Sequence, residues 1–248
     1  MNSKLLDKFR IAYEIHQKKN IKEAKKIYKE ILRENASHFE SQYLLSVVYA
    51  QEKDYTGAII GFSKALNINP DHIDTIYNLG LMNQELRNYT EAQQFYSRVI
   101  ELDPNNSDAF NNLGNIYREL NKRDEAIASF EKAIDLNWQN LLASNNKANM
   151  LMEMQKYEEA IVIYKKTLSI NKKNSVALHG IGRAYIKLKN IDLAIQFINY
   201  SLSIESKNAL ALNDIGFCLT EKRKYKVAIN YLTEARRIQV RSATRLSD

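Results

Sequence analysis

Seven alanines set the terms on which this chain can fold. Ala24, Ala58, Ala92, Ala126, Ala160, Ala194 and Ala228 follow one another at intervals of 34 residues, without insertion or deletion. Twelve residues before each stands another small residue: Ala12, Ser46, Gly80, Gly114, Ala148, Gly182 or Gly216. A strict period of this length marks a stacked array in which each unit is one supersecondary element. Four of the 7 glycines occupy that single repeat position. Glycine inside a helix costs about 0.5–1 kcal/mol relative to alanine, so its recurrence predicts two backbones that approach closely at this level.

Large residues complete the pattern. Four residues after each alanine comes Tyr28, Phe62, Tyr96, Phe130, Tyr164, Ile198 or Leu232. Immediately before each small residue comes Ile11, Leu45, Leu79, Leu113, Lys147, Ile181 or Ile215. Spacings of three and four place these on one face of each of two helices. One helical hairpin cannot bury that face alone, so neighbours must stack. The chain is therefore expected to be all-α, a single array over 1–248 with units at 5–38, 39–72, 73–106, 107–140, 141–174, 175–208 and 209–242 and a tail at 243–248. With 7 Gly and 2 Pro it lacks the turn formers of an all-β fold. In the fourth unit Ser107 is the expected helix cap. Its first helix should run to about Leu120, with a turn at Asn121 and Lys122 and a second helix from Arg123 to Leu136. Pro70 and Pro104 close the second and third units, where a helix must stop, and Trp138 takes that place in the fourth.

Phe110, Leu113, Gly114, Tyr117, Ala126, Phe130 and Ala133 match the signature of the tetratricopeptide repeat (TPR). The resemblance covers nearly the whole chain. It implies a right-handed superhelix, an α-solenoid of seven antiparallel helix pairs, whose first helices line a concave peptide-binding groove. The second, fifth, sixth, ninth and twelfth positions of each unit would then face that groove. Their residues are aromatic early (Phe9, Tyr13, Tyr43, Tyr77) and rich in amides in the middle (Asn78, Asn111, Asn112, Asn115, Asn145, Asn146, Asn149). They are mixed at the end, with His179, Arg183, Ile186, Asn213 and Phe217.

Asn78, Asn112 and Asn146 hold the sixth position of three consecutive units. An amide donates and accepts, so a ladder of them could follow the backbone of an extended peptide whatever its side chains. The ladder resembles that of the TPR domain of O-GlcNAc transferases. Tyr43 and Tyr77 suit either a groove wall or packing between adjacent first helices. The carboxylate clamp of one TPR subclass is missing, since Tyr77 and Leu81 stand before Asn112 where basic residues would be needed. Arg183 and Lys187 could pair with one acidic group, though a solvated face is the plainer reading. Lys147 and Asn83 each take a normally apolar position, which reads as weak packing or snorkelling.

These features predict a protein-interaction scaffold or adaptor for a protein or extended peptide. The alternative is the substrate-recognition arm of a larger O-GlcNAc-transferase-like glycosyltransferase. RNA binding is disfavoured despite a pI of about 9.2 and a net charge of +7, because the groove carries few cations. No enzyme is expected: the four histidines are widely spaced along the chain, and no phosphate-binding glycine loop or HExxH pair occurs. No cofactor, metal or small-molecule substrate is implied. The sole cysteine, Cys218, rules out an internal disulfide and reads as a buried, inert thiol. No apolar run approaches the roughly 18 residues of a membrane span, and no signal peptide is evident, so a cytoplasmic location is expected. Val227, Ile229, Tyr231 and Leu232 on the final helix predict an incompletely covered face and self-association into a homo-oligomer.

Overall fold

The computed structural model describes residues 3–244. From residue 245 on, the expected tail lies outside the described residues. Within them the chain forms fourteen α-helices and no strand. These are α1 (Ser3–Gln17), α2 (Ile21–Glu34), α3 (Phe39–Gln51), α4 (Tyr55–Ile68), α5 (Ile73–Glu85), α6 (Tyr89–Leu102) and α7 (Ser107–Glu119). They continue as α8 (Arg123–Leu136), α9 (Leu141–Glu153), α10 (Tyr157–Ile170), α11 (Ser175–Lys187), α12 (Ile191–Ile204), α13 (Ala209–Glu221) and α14 (Tyr225–Thr244). The residues divide into two compact units, Met1–Lys122 and Arg123–Asp248.

Each odd-numbered helix ends in the same way. Lys19, Lys53, Arg87, Asn121, Gln155, Lys189 and Arg223 adopt left-handed backbone with φ between 57° and 63°. At Lys53 the N–H bonds to Ala50 O (3.0 Å), and the next N–H, of Asp54, bonds to Tyr49 O (2.9 Å). This pair of bonds is a Schellman closure, which satisfies the last helical carbonyls. It normally uses glycine; here only Asn121 is a residue with a natural tolerance for that conformation. Asp54 then caps α4, its carboxylate accepting from Gly57 N at 2.9 Å. One residue thus ends a helix and starts the next.

Even-numbered helices stop differently. Asn35, Asp103, Asn137 and Asn171 accept, through the side-chain oxygen, the N–H two residues on, at 3.0–3.2 Å. Short amide and carboxylate side chains compete with the helix for backbone donors in this way. The following helix is capped by Asn106, Asn140, Asn174 or Asn208. The expected cap of α7, Ser107, is instead its first helical residue: Asn106 Oδ1 accepts from Ala109 N at 2.9 Å. His38 and His72 do the same work for α3 and α5 through Nδ1, each accepting at 3.2 Å. In α14 the equivalent stop position is Gln239, and the helix runs on to Thr244.

The small–large register packs as its spacing implies. In the first unit, Leu45, Leu79 and Leu113 join Ala24 with Tyr28, Ala58 with Phe62 and Ala92 with Tyr96. In the second, Ile181 and Ile215 join Ala160 with Tyr164 and Ala194 with Ile198. A Cβ on Gly80 would stand 2.8 Å from the Tyr96 ring, and one on Gly182 would stand 2.5 Å from Ile198. The glycines are therefore there to admit the facing side chain.

Two expectations need correction. Ile11 holds the position of Leu45 and Leu79 but is 51% exposed, because no preceding hairpin covers it among the described residues. Lys147 snorkels, one of the two readings of its position: its ammonium pairs with the half-exposed Glu131 at 2.8 Å. Asn83 is buried and doubly bonded, donating to Leu79 O (2.8 Å) and accepting from Asn88 Nδ2 (3.2 Å). It braces the end of α5 against the turn.

Candidate functional site

The predicted site residues fall on the odd-numbered helices, those of the first unit on α3, α5 and α7. Tyr43, on α3, is half-buried, its ring 5.7 Å from Phe62 and 5.3 Å from His72. Its hydroxyl accepts a hydrogen bond from Asn78 Nδ2, on α5, at 3.2 Å. One repeat later Tyr77, on α5, accepts from Asn112 Nδ2, on α7, at 2.8 Å. The fifth position of one hairpin thus bonds the sixth position of the next, twice in succession.

The proton count of this arrangement matters. Asn78 gives its second amide proton to Asp74 O, one turn back on α5, at 2.8 Å. Both donors of Asn78 are therefore spent inside the protein. The expectation that one asparagine alone supplies donor and acceptor to a ligand is corrected for this residue. The donor is instead the Tyr43 hydroxyl, whose own proton cannot point at the amide it accepts from. Tyrosine O–H and asparagine C=O together form the two-sided pair. Burial pushes the Tyr43 and Tyr77 phenols above their ordinary range, with Asp74 and Asp108 adding to the effect and the asparagine bonds opposing it. Both are protonated donors at neutral pH.

Asn111 is buried, its Nδ2 bonded to Asn112 Oδ1 at 3.3 Å. It supports Asn112 from behind, which corrects its placement as a groove contact. Asn115 is half-buried on α7.

In the second unit the amides sit on α9. Asn146 is half-buried and within the local network. Asn145 is buried: its Nδ2 reaches Asn174 Oδ1 at 3.4 Å, and its own Oδ1 has no hydrogen-bond partner. Asn149 Oδ1 accepts a 2.6 Å bond from the Tyr164 hydroxyl. Asn145 and Asn149 thus hold neighbouring parts of the hairpin stack; Asn149, like Asn146, is half-buried.

Farther along, the same fifth-to-sixth link recurs as a histidine–aspartate pair. His179 Nε2, on α11, lies 2.7 Å from Asp214 Oδ2, on α13. Arg183 is half-exposed with Nε 4.0 Å from the same oxygen. Arg183 thus has an acidic neighbour within the chain, Asp214, while its side chain keeps much of the solvated face that was the plainer reading. Asp214 was missed, although it shares the repeat position of Asn78 and Asn112; its charge, rather than its position, hid it. Among the described residues no group of three or more His, Cys, Asp or Glu side chains could hold a metal ion. No helix among them is long and apolar enough to cross a membrane.

Comparison with known proteins gives a consistent picture of the family. Tetratricopeptide-repeat profiles match residues 72–137, residues 151–213, and residues 17–73 with 111–175. No curated protein matches the chain by sequence. Among solved structures, a tetratricopeptide repeat protein from Parabacteroides merdae aligns with a TM-score of 0.80 at 16% identity, over 96% of this chain and 94% of that one. PilF of Pseudomonas aeruginosa aligns at 0.70 and 21% identity, over 88% and 97%. YrrB, described as a TPR protein with an unusual peptide-binding site, aligns at 0.58 and 18% identity, over 75% and 95%. The helix pairs, their small–large register and these matches agree: the chain belongs to the tetratricopeptide-repeat family.

Proposed function

We propose that this chain is a protein-interaction scaffold that takes an extended peptide along the odd-numbered helices of its hairpins. The observation that carries the reading is the repeated tyrosine–asparagine link, Tyr43 to Asn78 and Tyr77 to Asn112. Each pair combines one O–H donor with one C=O acceptor, which is what a peptide unit of an extended chain requires. Recognition of that kind reads backbone and is indifferent to side-chain sequence. Asn146, in the second unit, would contribute an amide at the same repeat position. The likeness to YrrB supports a peptide ligand by analogy only. The free thiol of Cys218 fits a reducing, cytoplasmic setting.

The test begins by identifying what the wild-type chain retains in a pull-down and measuring the affinity of the retained segment. The variants Tyr43→Phe, Tyr77→Phe and Asn78→Ala, Asn112→Ala, Asn146→Ala should then weaken binding at least tenfold, with circular dichroism unchanged. Unchanged affinity in a folded protein refutes the reading.

Self-association is a second element of the proposal. Tyr225, Val227, Ile229 and Leu232 on α14 are 56%, 46%, 60% and 39% exposed. The residues equivalent to Leu232 in the six other repeats are fully buried. That surface suits another protein chain, a second copy included.

A further inference from the structure

The first unit has a second concavity, away from the tyrosine–asparagine row. It lies across α2, α3 and α4, has a volume of about 700 Å³ and is open to solvent. Its origin can be read from two glycines that break the repeat. Three residues after the repeat alanine most hairpins carry a large side chain: Ile27, Phe95, Ile163, Phe197 or Tyr231. In α4 that residue is Gly61, which is buried. One residue before the alanine, Gly57 stands where Glu23, Glu91, Glu125 and Glu159 stand elsewhere. A side chain and a carboxylate are thus both removed from one wall of the cleft.

Gly61 is held by its surroundings. A Cβ there would lie 2.3 Å from Ser46 Oγ, and Gln42 Nε2 donates to Gly61 O at 3.1 Å. The concavity is therefore built into the packing and is not a surface irregularity. Its floor is apolar, with Leu32, Leu45 and the Tyr49 ring, and Ile60 stands 55% exposed at its edge. Its rim is cationic. Lys29, Arg33 and Lys64 line it, all exposed, and none lies within 4.0 Å of a carboxylate among the described residues. Lys29 Nζ lies 5.6 Å from the Tyr49 ring centre, which keeps it against the wall. The one acidic lining residue, Asp54, is engaged in capping α4.

We propose that this cleft is a second protein-binding site, one that receives an acidic segment of a partner and buries one large apolar side chain of that segment. The three unneutralised cations over an apolar floor select carboxylates flanking a hydrophobic anchor. A cationic or purely polar segment would gain nothing from either part. The open form of the cleft suits a stretch of polypeptide better than an enclosed small molecule, since small ligands bury most of their surface.

The test uses a display library of random short peptides selected on the wild-type chain. Peptides that depend on the cleft should be rich in Asp and Glu around one Trp, Phe or Leu. Their affinity should fall at least tenfold on the exposed triple variant Lys29→Glu, Arg33→Glu, Lys64→Glu, fall severalfold on Ile60→Ser, and weaken with added salt. It should be unchanged in Asn78→Ala, Asn112→Ala, because the proposal is independent of the tyrosine–asparagine row. All variants should keep the helical circular dichroism of wild type and unfold cooperatively. Selected peptides without acidic residues, or acidic peptides that bind the triple variant as well as wild type, overturn it. So do peptides lost only with Asn78 and Asn112, which report the other face.

Discussion

Single positions reveal where this repeat is under strain and where it is not. Six of the seven left-handed turn residues are Lys, Arg or Gln, types that gain nothing from φ near +60°. Gln155→Gly or Arg87→Gly should raise unfolding free energy by about 0.5–1 kcal/mol, measured by urea titration. Asn121→Gly should gain less, since asparagine already tolerates the conformation. Lys147 offers the opposite case. It replaces the leucine or isoleucine of its repeat position, is 17% exposed at its side chain, and pairs with the half-exposed Glu131. Lys147→Leu should stabilise by about 1 kcal/mol, because well-packed apolar groups often match or outperform a desolvated ion pair. A loss of stability would show that the pair with Glu131 is worth more than the apolar contact.

Helices are joined by links that double as the candidate site. Tyr43 and Asn78 sit on different helices and meet at 3.2 Å. A double-mutant cycle with Tyr43→Phe and Asn78→Ala should give a coupling of about 0.5–1.5 kcal/mol in stability, read from denaturant unfolding. No coupling would mean the link is not formed in solution. Cys218, on α13, is fully buried, and burial pushes its thiol up from 9.0 to about 11, with Asp214 adding to the effect. Because the folded value lies above the unfolded one, the stabilisation from the neutral thiol is complete below pH 9 and is lost as pH rises through 11. Burial likewise pushes Tyr28 up to about 12, so its contribution is lost between pH 10 and 12. Stability should therefore fall above pH 9, and Cys218→Ala should delay the onset of that fall to about pH 10, where Tyr28 begins to contribute. At pH 8 the native thiol should resist alkylation that the unfolded chain undergoes readily.

At the scale of the whole molecule, the period of 34 residues carries most of what could be foreseen. Its alanines, glycines and aromatic residues meet as their spacing required, since each such contact lies within a hairpin or between adjacent ones. Periodic reasoning stops at the first and last described repeats, because a position that is core in the middle meets no further repeat among the described residues: Ile11 and Leu232 are exposed. If the α14 face mediates self-association, Tyr225→Lys with Ile229→Lys should return the chain to a monomer at high concentration by light scattering. A wild-type chain that is monomeric throughout removes that element of the proposal. The candidate site was legible as a set of positions but not as chemistry. Placing Asn78 at the sixth position of its repeat needed only the 34-residue period, and the expectation that this position faces a groove came from the resemblance to the family. Knowing that its two protons go to Asp74 and Tyr43 needed the distance between helices. The same holds for Asp214 beside His179, and for the cleft left where Gly57 and Gly61 withhold two side chains. By itself, then, the sequence determined the family, the helix pairs and the buried small–large faces, because those follow from spacings of three, four and 34 along one chain. Only the tertiary structure decided which polar groups are spent on one another and which concavities stay open, because hydrogen-bond partners and voids depend on distances between helices that no local pattern encodes.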